Sequence, residues 1–98
     1  MSKLVSIAIR VSSLKRMEVE LPKGCTIFGG ELIAEELMLE ILCDTTLSEE
    51  QEKYTFEFFW LGDEVDESFT FLTKFYVNID SEFMSNGQRP CYVFYKKV

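Results

Sequence analysis

The chain has 98 residues, material for one domain, and 47% of them are apolar, including nine Phe, four Tyr and one Trp. That composition supports a packed core and excludes a disordered chain, while two Pro and five Gly exclude collagen-like or linker-like behaviour. Net charge is −7 and histidine is absent, which removes Ser-His-Asp and Cys-His nucleophiles, histidine zinc sites and a switch near neutral pH.

Leu4 to Val11 alternates, with Val5, Ile7, Ile9 and Val11 on one side and Ser6, Ala8 and Arg10 on the other, the pattern of a half-buried strand. After a turn at Ser12-Ser13-Leu14-Lys15, Arg16 to Leu21 alternates again, with Met17, Val19 and Leu21 inward. Pro22 ends this strand, and the two are expected to pair as a β-hairpin. Thr26 is a candidate helix N-cap, and Glu31 to Cys43 is rich in helix formers with no breaker. Ile33, Leu37 and Ile41 recur at i, i+4 and i+8, flanked by Ala34 and Met38, as the core stripe of that helix. Leu32, Leu39, Leu42 and Cys43 form a second apolar stripe, set off by Glu36 and Glu40.

Ser48-Glu49-Glu50-Gln51 matches a capping box, predicting a short helical turn over 49–53. Tyr54 to Leu61 is dense in aromatic residues and predicts a mostly buried strand. An acidic turn at 62–67 leads to a short strand, Phe69 to Leu72, expected to pair back on it. Residues 73–84 predict an irregular crossing, and Ser85-Asn86-Gly87 predicts a turn. The last strand, Cys91 to Lys97, alternates Cys91, Val93 and Tyr95 with Tyr92, Phe94 and Lys96.

A hairpin, one long helix and three further strands describe an α+β fold, β-β-α-β-β-β, whose mixed sheet carries the helix across one face: the ubiquitin-like β-grasp. In this order the hairpin Val5–Leu21, Thr26, the stripe Ile33, Leu37 and Ile41, the strand Tyr54–Trp60, Phe69–Leu72 and the basic final strand Cys91–Lys97 resemble the first lobe of FERM domains and the Ras-association domains. The resemblance spans nearly the whole chain and treats residues 1–98 as a single domain. It implies an intracellular adaptor or scaffold whose job is protein binding, with a small GTPase or another signalling or trafficking protein as partner. The terminal Lys96-Lys97-Val98 is not a diglycine, so conjugation as a modifier is not expected.

Residues 25–67 carry thirteen carboxylates against the single base Lys53, between segments of net +3 (residues 1–24) and +2 (residues 68–98). So acidic a belt repels phosphate backbones, and direct nucleic-acid binding is not expected. It solvates a face, or it suits a small acidic inhibitor that occupies a basic groove on a nucleic-acid enzyme; a structural subunit of a larger complex is the third reading. The cysteines Cys25, Cys43 and Cys91 are widely spaced and odd in number, so they are expected as reduced, partly buried thiols in a cytoplasmic protein. No signal peptide or membrane-length apolar run is read.

Catalytic, cofactor and metal residues are not expected. The pair Glu36 and Glu40 reads as a solvated face, Cys25 beside Lys23 as a structural thiol, and the aromatic run Tyr54–Trp60 as core. The residues expected to meet a protein partner are Arg10 and Arg16 on the hairpin, and Leu32, Glu36 and Leu39 on the helix.

Overall fold

The computed structural model describes residues 3–13, 15–33, 36–46, 49–81 and 84–98, with side chains omitted at 77–81 and 84–88. The described residues contain seven strands and no helix: β1 Lys3–Arg10, β2 Arg16–Pro22, β3 Thr26–Ile33, β4 Met38–Thr45, β5 Gln51–Trp60, β6 Thr70–Ser81 and β7 Met84–Lys97. They form two antiparallel sheets, ordered β1-β4-β3 and β2-β5-β7-β6. The two sheets enclose one core, built on Leu39, Ile41 and Cys43 from the first and Phe56, Phe58, Cys91 and Val93 from the second.

The β-grasp expectation is therefore wrong, and with it the ubiquitin-like, FERM-like and Ras-association-like architecture. The segment expected as a long helix is instead the end of β3, a turn at Glu36-Leu37, and β4. The reason is that the segment is legible at two periods. Leu39, Ile41 and Cys43, which a helix spreads over two stripes, also alternate strictly with Glu40, Leu42 and Asp44. Placed between β1 and β3, these three residues lose all exposure and Thr45 retains 1%. Full burial of a Leu or Ile is worth about 1.5–3 kcal/mol, whereas helix preference among ordinary residues spans at most about 0.7 kcal/mol each. Packing decides.

β1 and β2 occur where the alternation places them, with Val5, Ile7, Ile9, Met17, Val19 and Leu21 turned to the core. They do not pair as a hairpin: β1 pairs with β4 and β2 with β5. The Val11 amide donates to the Leu37 carbonyl at 2.8 Å, and the Phe58 amide to the Lys15 carbonyl at 2.9 Å, so the β1–β2 connection is stitched to both sheets. The final strand lies antiparallel between β5 and β6.

The region expected as an irregular crossing is the body of β6, which pairs with β7 and not with β5. Beyond the Trp60–Cys91 pair, β6 and β7 continue as a two-stranded ribbon through Tyr76↔Pro90 to Ser81↔Met84. Ser85-Asn86-Gly87 lies inside β7, not at a turn. Gln51, expected in a helical turn, opens β5. Ser48 of the expected capping box lies outside the described residues, as does Leu14.

Candidate functional site

Each sheet turns one face to solvent, and the two faces differ. On the four-stranded sheet, Phe59 packs edge-on against Phe69 (5.8 Å between ring centroids) and Phe94 (5.5 Å), and Phe94 against Phe71 (5.5 Å). The Lys96 ammonium sits 4.8 Å from the centre of the Phe69 ring. These rings satisfy one another's edges and faces, and of the four only Phe71 is mostly exposed.

The outer face of the three-stranded sheet is organised differently. An antiparallel sheet with one solvated side normally presents polar residues there. Here Leu4 on β1, Leu42 on β4 and Phe28 on β3 are 59%, 42% and 65% exposed. A β-bulge brings them together. Ile27 pairs with Cys43 and Gly29 with Leu42, so Phe28 is the extra residue, and both Phe28 and Gly29 fall on the outer side. Were the strand instead to alternate without a bulge from Ile27 onward, Gly30 and Leu32 would face solvent and Glu31 would face the core.

Two adjoining depressions mark this face. One, of about 460 Å³, is lined by Lys3, Leu4, Phe28, Leu42 and Asp44. The other, of about 310 Å³, is a trough of small residues, Ser6, Gly29 and Gly30, ending at Glu31 and Glu40 and sharing the Leu42 wall. Glu31 and Glu40 are direct cross-strand partners. Like charges in that position destabilise a sheet, and a cation laid across them removes the repulsion. The face therefore combines an apolar pocket with a demand for positive charge.

Two carboxylates of the acidic loop between β5 and β6 are spent on the loop itself. Asp63 accepts from the Trp60 amide at 2.8 Å across a turn that places Gly62 at φ 98°. Asp66 accepts from the Ser68 amide at 2.8 Å, and this bond, with help from the Ser68 hydroxyl, holds the Asp66 carboxyl below its usual range. No group of three or more His, Cys, Asp or Glu residues suited to a metal occurs among the described residues.

The thiols are buried and free. Burial, reinforced by the hydrogen-bonded Cys43 thiol, pushes Cys25 up to about 12, and burial pushes Cys91 up to about 11. Cys25 and Cys43 lie far apart in sequence, so nothing in the residue order announced their contact. Tyr54 and Tyr95 close the same region, their phenols also raised by burial, and the Tyr54 hydroxyl donates to the Cys25 carbonyl at 3.4 Å. Neutral thiols in such surroundings are poor nucleophiles at neutral pH.

The residues expected to meet a partner are dispersed. Arg10 ends β1 in one sheet and Arg16 opens β2 in the other, opposite Glu57. Glu36 is exposed in the β3–β4 turn. Leu32 and Leu39 are cross-strand partners turned to the core, and Leu39 has no exposed surface. Leu4, Phe28 and Glu31 were missed as site residues: Leu4 gains its setting only from the pairing of β1 with β4, Phe28 lies on a strand the sequence did not announce, and the side of Glu31 is set by a bulge that sequence does not display. The acidic segment does not gather on one surface: Glu31 and Glu40 lie on one sheet, Glu57 on the other, and Asp63 to Glu67 in the loop. No helix among the described residues is long and apolar enough to cross a membrane.

No protein-family profile matches the chain, and comparison with curated proteins and with solved structures gave no match.

Proposed function

We propose that the chain is a non-enzymatic protein-interaction module whose docking surface is the outer face of the three-stranded sheet. Its occupant is an amphipathic segment of a partner protein. That segment offers apolar side chains to Leu4, Phe28 and Leu42 and a Lys or Arg to Glu31 and Glu40. One observation carries this reading: three exposed apolar side chains adjoin two carboxylates set directly opposite each other. Apolar burial supplies affinity and the charge fixes register along the trough. The absence of histidine and the raised thiols favour binding over catalysis.

Panning a displayed library of random peptides against the protein tests this. Enriched sequences are expected to combine apolar residues with Lys or Arg, to bind less well as salt rises, and to lose binding to the double variant Glu31→Lys, Glu40→Lys. Enrichment of acidic peptides, or binding indifferent to that charge reversal, contradicts the proposal.

A further inference from the structure

A sheet edge is a row of unpaired amides and carbonyls, and stable proteins guard such rows with charges, prolines, bulges or a covering element. The two sheets have four edges: β1, β3, β2 and β6. Three are guarded. β2 presents Arg16, Glu18 and Glu20 outward and ends in Pro22. β3 carries the bulge at Phe28 and is backed by β6, where Leu72 lies against Gly30. β6 is interrupted in register between Phe71 and Thr73 and again between Ile79 and Ser81.

Among the described residues β1 has neither a proline nor a bulge, and no strand lies along its free side. It pairs with β4 without interruption from Lys3↔Thr45 to Arg10↔Met38, contains neither Pro nor Gly, and has its charges only at its two ends. Its inward residues are also incompletely covered. Val5, Ile7 and Ile9 are half-buried, although their partners on β4, Cys43, Ile41 and Leu39, have no exposure at all.

We infer that β1 pairs antiparallel with β1 of a second copy of this chain about a two-fold axis at Ile7, joining two three-stranded sheets into one of six strands. A two-fold axis normal to the sheet keeps both cores on one side only if each residue meets one from the same face of its strand. Centred on Ile7, the register sets Ile7 against Ile7, Val5 against Ile9, Ser6 against Ala8, and Leu4 against Arg10. No like charges meet, and the half-buried apolar row becomes continuous. The alternative centred on Ser6 sets Lys3 beside Ile9 in that apolar row, which costs desolvation of the ammonium.

Sedimentation equilibrium of the whole chain, a monomer of 11.4 kDa, tests the pairing and its register. The wild-type protein is expected to sediment as a reversible monomer–dimer equilibrium. Ser6 and Ala8 are exposed, so substitution there leaves the monomer's core intact, which thermal unfolding of each variant verifies. The variant Ser6→Lys, Ala8→Lys opposes like charges at both symmetry-related positions and is expected to weaken the dimer about tenfold or more. The variant Ser6→Glu, Ala8→Lys opposes unlike charges in the Ile7-centred register and is expected to retain or tighten it. A wild-type chain that stays monomeric at the highest attainable concentration overturns the inference, as does equal weakening by both variants or indifference to both.

Discussion

Gly30 on β3 and Leu72 on β6 meet where the two sheets close on each other. A methyl group added at Gly30 would stand 2.7 Å from the Glu40 carbonyl oxygen and 3.2 Å from the Leu72 Cδ2. The neighbouring Gly29 faces open space. Gly30→Ala is therefore expected to lower stability by about 1–3 kcal/mol, the usual cost of overpacking, and Gly29→Ala to change it by less than about 1 kcal/mol. Urea unfolding of the two variants checks the contrast, and equal costs would mean that the sheets do not approach at Gly30.

Leu37 turns the chain between β3 and β4 with φ 52°, a conformation that is costly for a branched side chain, and it is 48% exposed. Leu37→Gly removes that cost and little packing, so thermal unfolding should show a gain of about 0.5–1 kcal/mol. A loss of that size would place the turn elsewhere.

The same turn shows where sequence reading ends. β1, β2 and the second half of β7 were legible because each alternates, with Val5-Ile7-Ile9, Met17-Val19-Leu21 and Cys91-Val93-Tyr95 facing the core, and β5 from Tyr54 onward was legible from its density of aromatic residues, of which Tyr54, Phe56 and Phe58 face the core. Residues 31–45 were not, since they satisfy helical and strand periods alike and the turn that breaks the helix contains neither Gly, Pro nor Asn among its described residues. Pairing was illegible for another reason. β1 and β2 look like a hairpin, yet each finds its partner far along the chain, β1 in β4 and β2 in β5. Of the candidate surface, Leu42 and Glu40 stood out as apolar and acidic residues, but their outward orientation depends on the strand assignment and that of Glu31 on a bulge.

Thr55 is fully buried and its hydroxyl has no hydrogen-bond partner among the described residues. Thr55→Val exchanges that hydroxyl for a methyl of similar shape and is expected to raise stability by about 1 kcal/mol in urea unfolding. Thr55→Ser keeps the hydroxyl and loses the methyl, so it is expected to lower stability. A destabilised Thr55→Val would mean that the hydroxyl has a partner.

Thiol titration reports on the closed core. Cys25, Cys43 and Cys91 are buried, so Ellman's reagent should react with none rapidly at pH 8 and with all three in denaturant. The pKa values of Cys25 and Cys91 rise from 9.0 to about 12 and about 11 on folding, so the folded state holds protons the unfolded chain releases. Their contribution to stability is complete below about pH 9 and is lost as pH climbs through 11 and 12. Stability that stays flat between pH 9 and 11 would contradict burial of these thiols.

The docking face is tested most directly by titrating a library-selected peptide against three proteins: wild type, Leu42→Asp and Leu61→Asp. Leu42 lies at the meeting of the two depressions, while Leu61 is 70% exposed in the loop after β5, away from that face. A carboxylate at Leu42 should weaken binding by about 30-fold, the loss typical of an interface anchor, and at Leu61 should leave it unchanged. Equal effects at the two positions, or no effect at Leu42, would place the recognition surface elsewhere on the molecule.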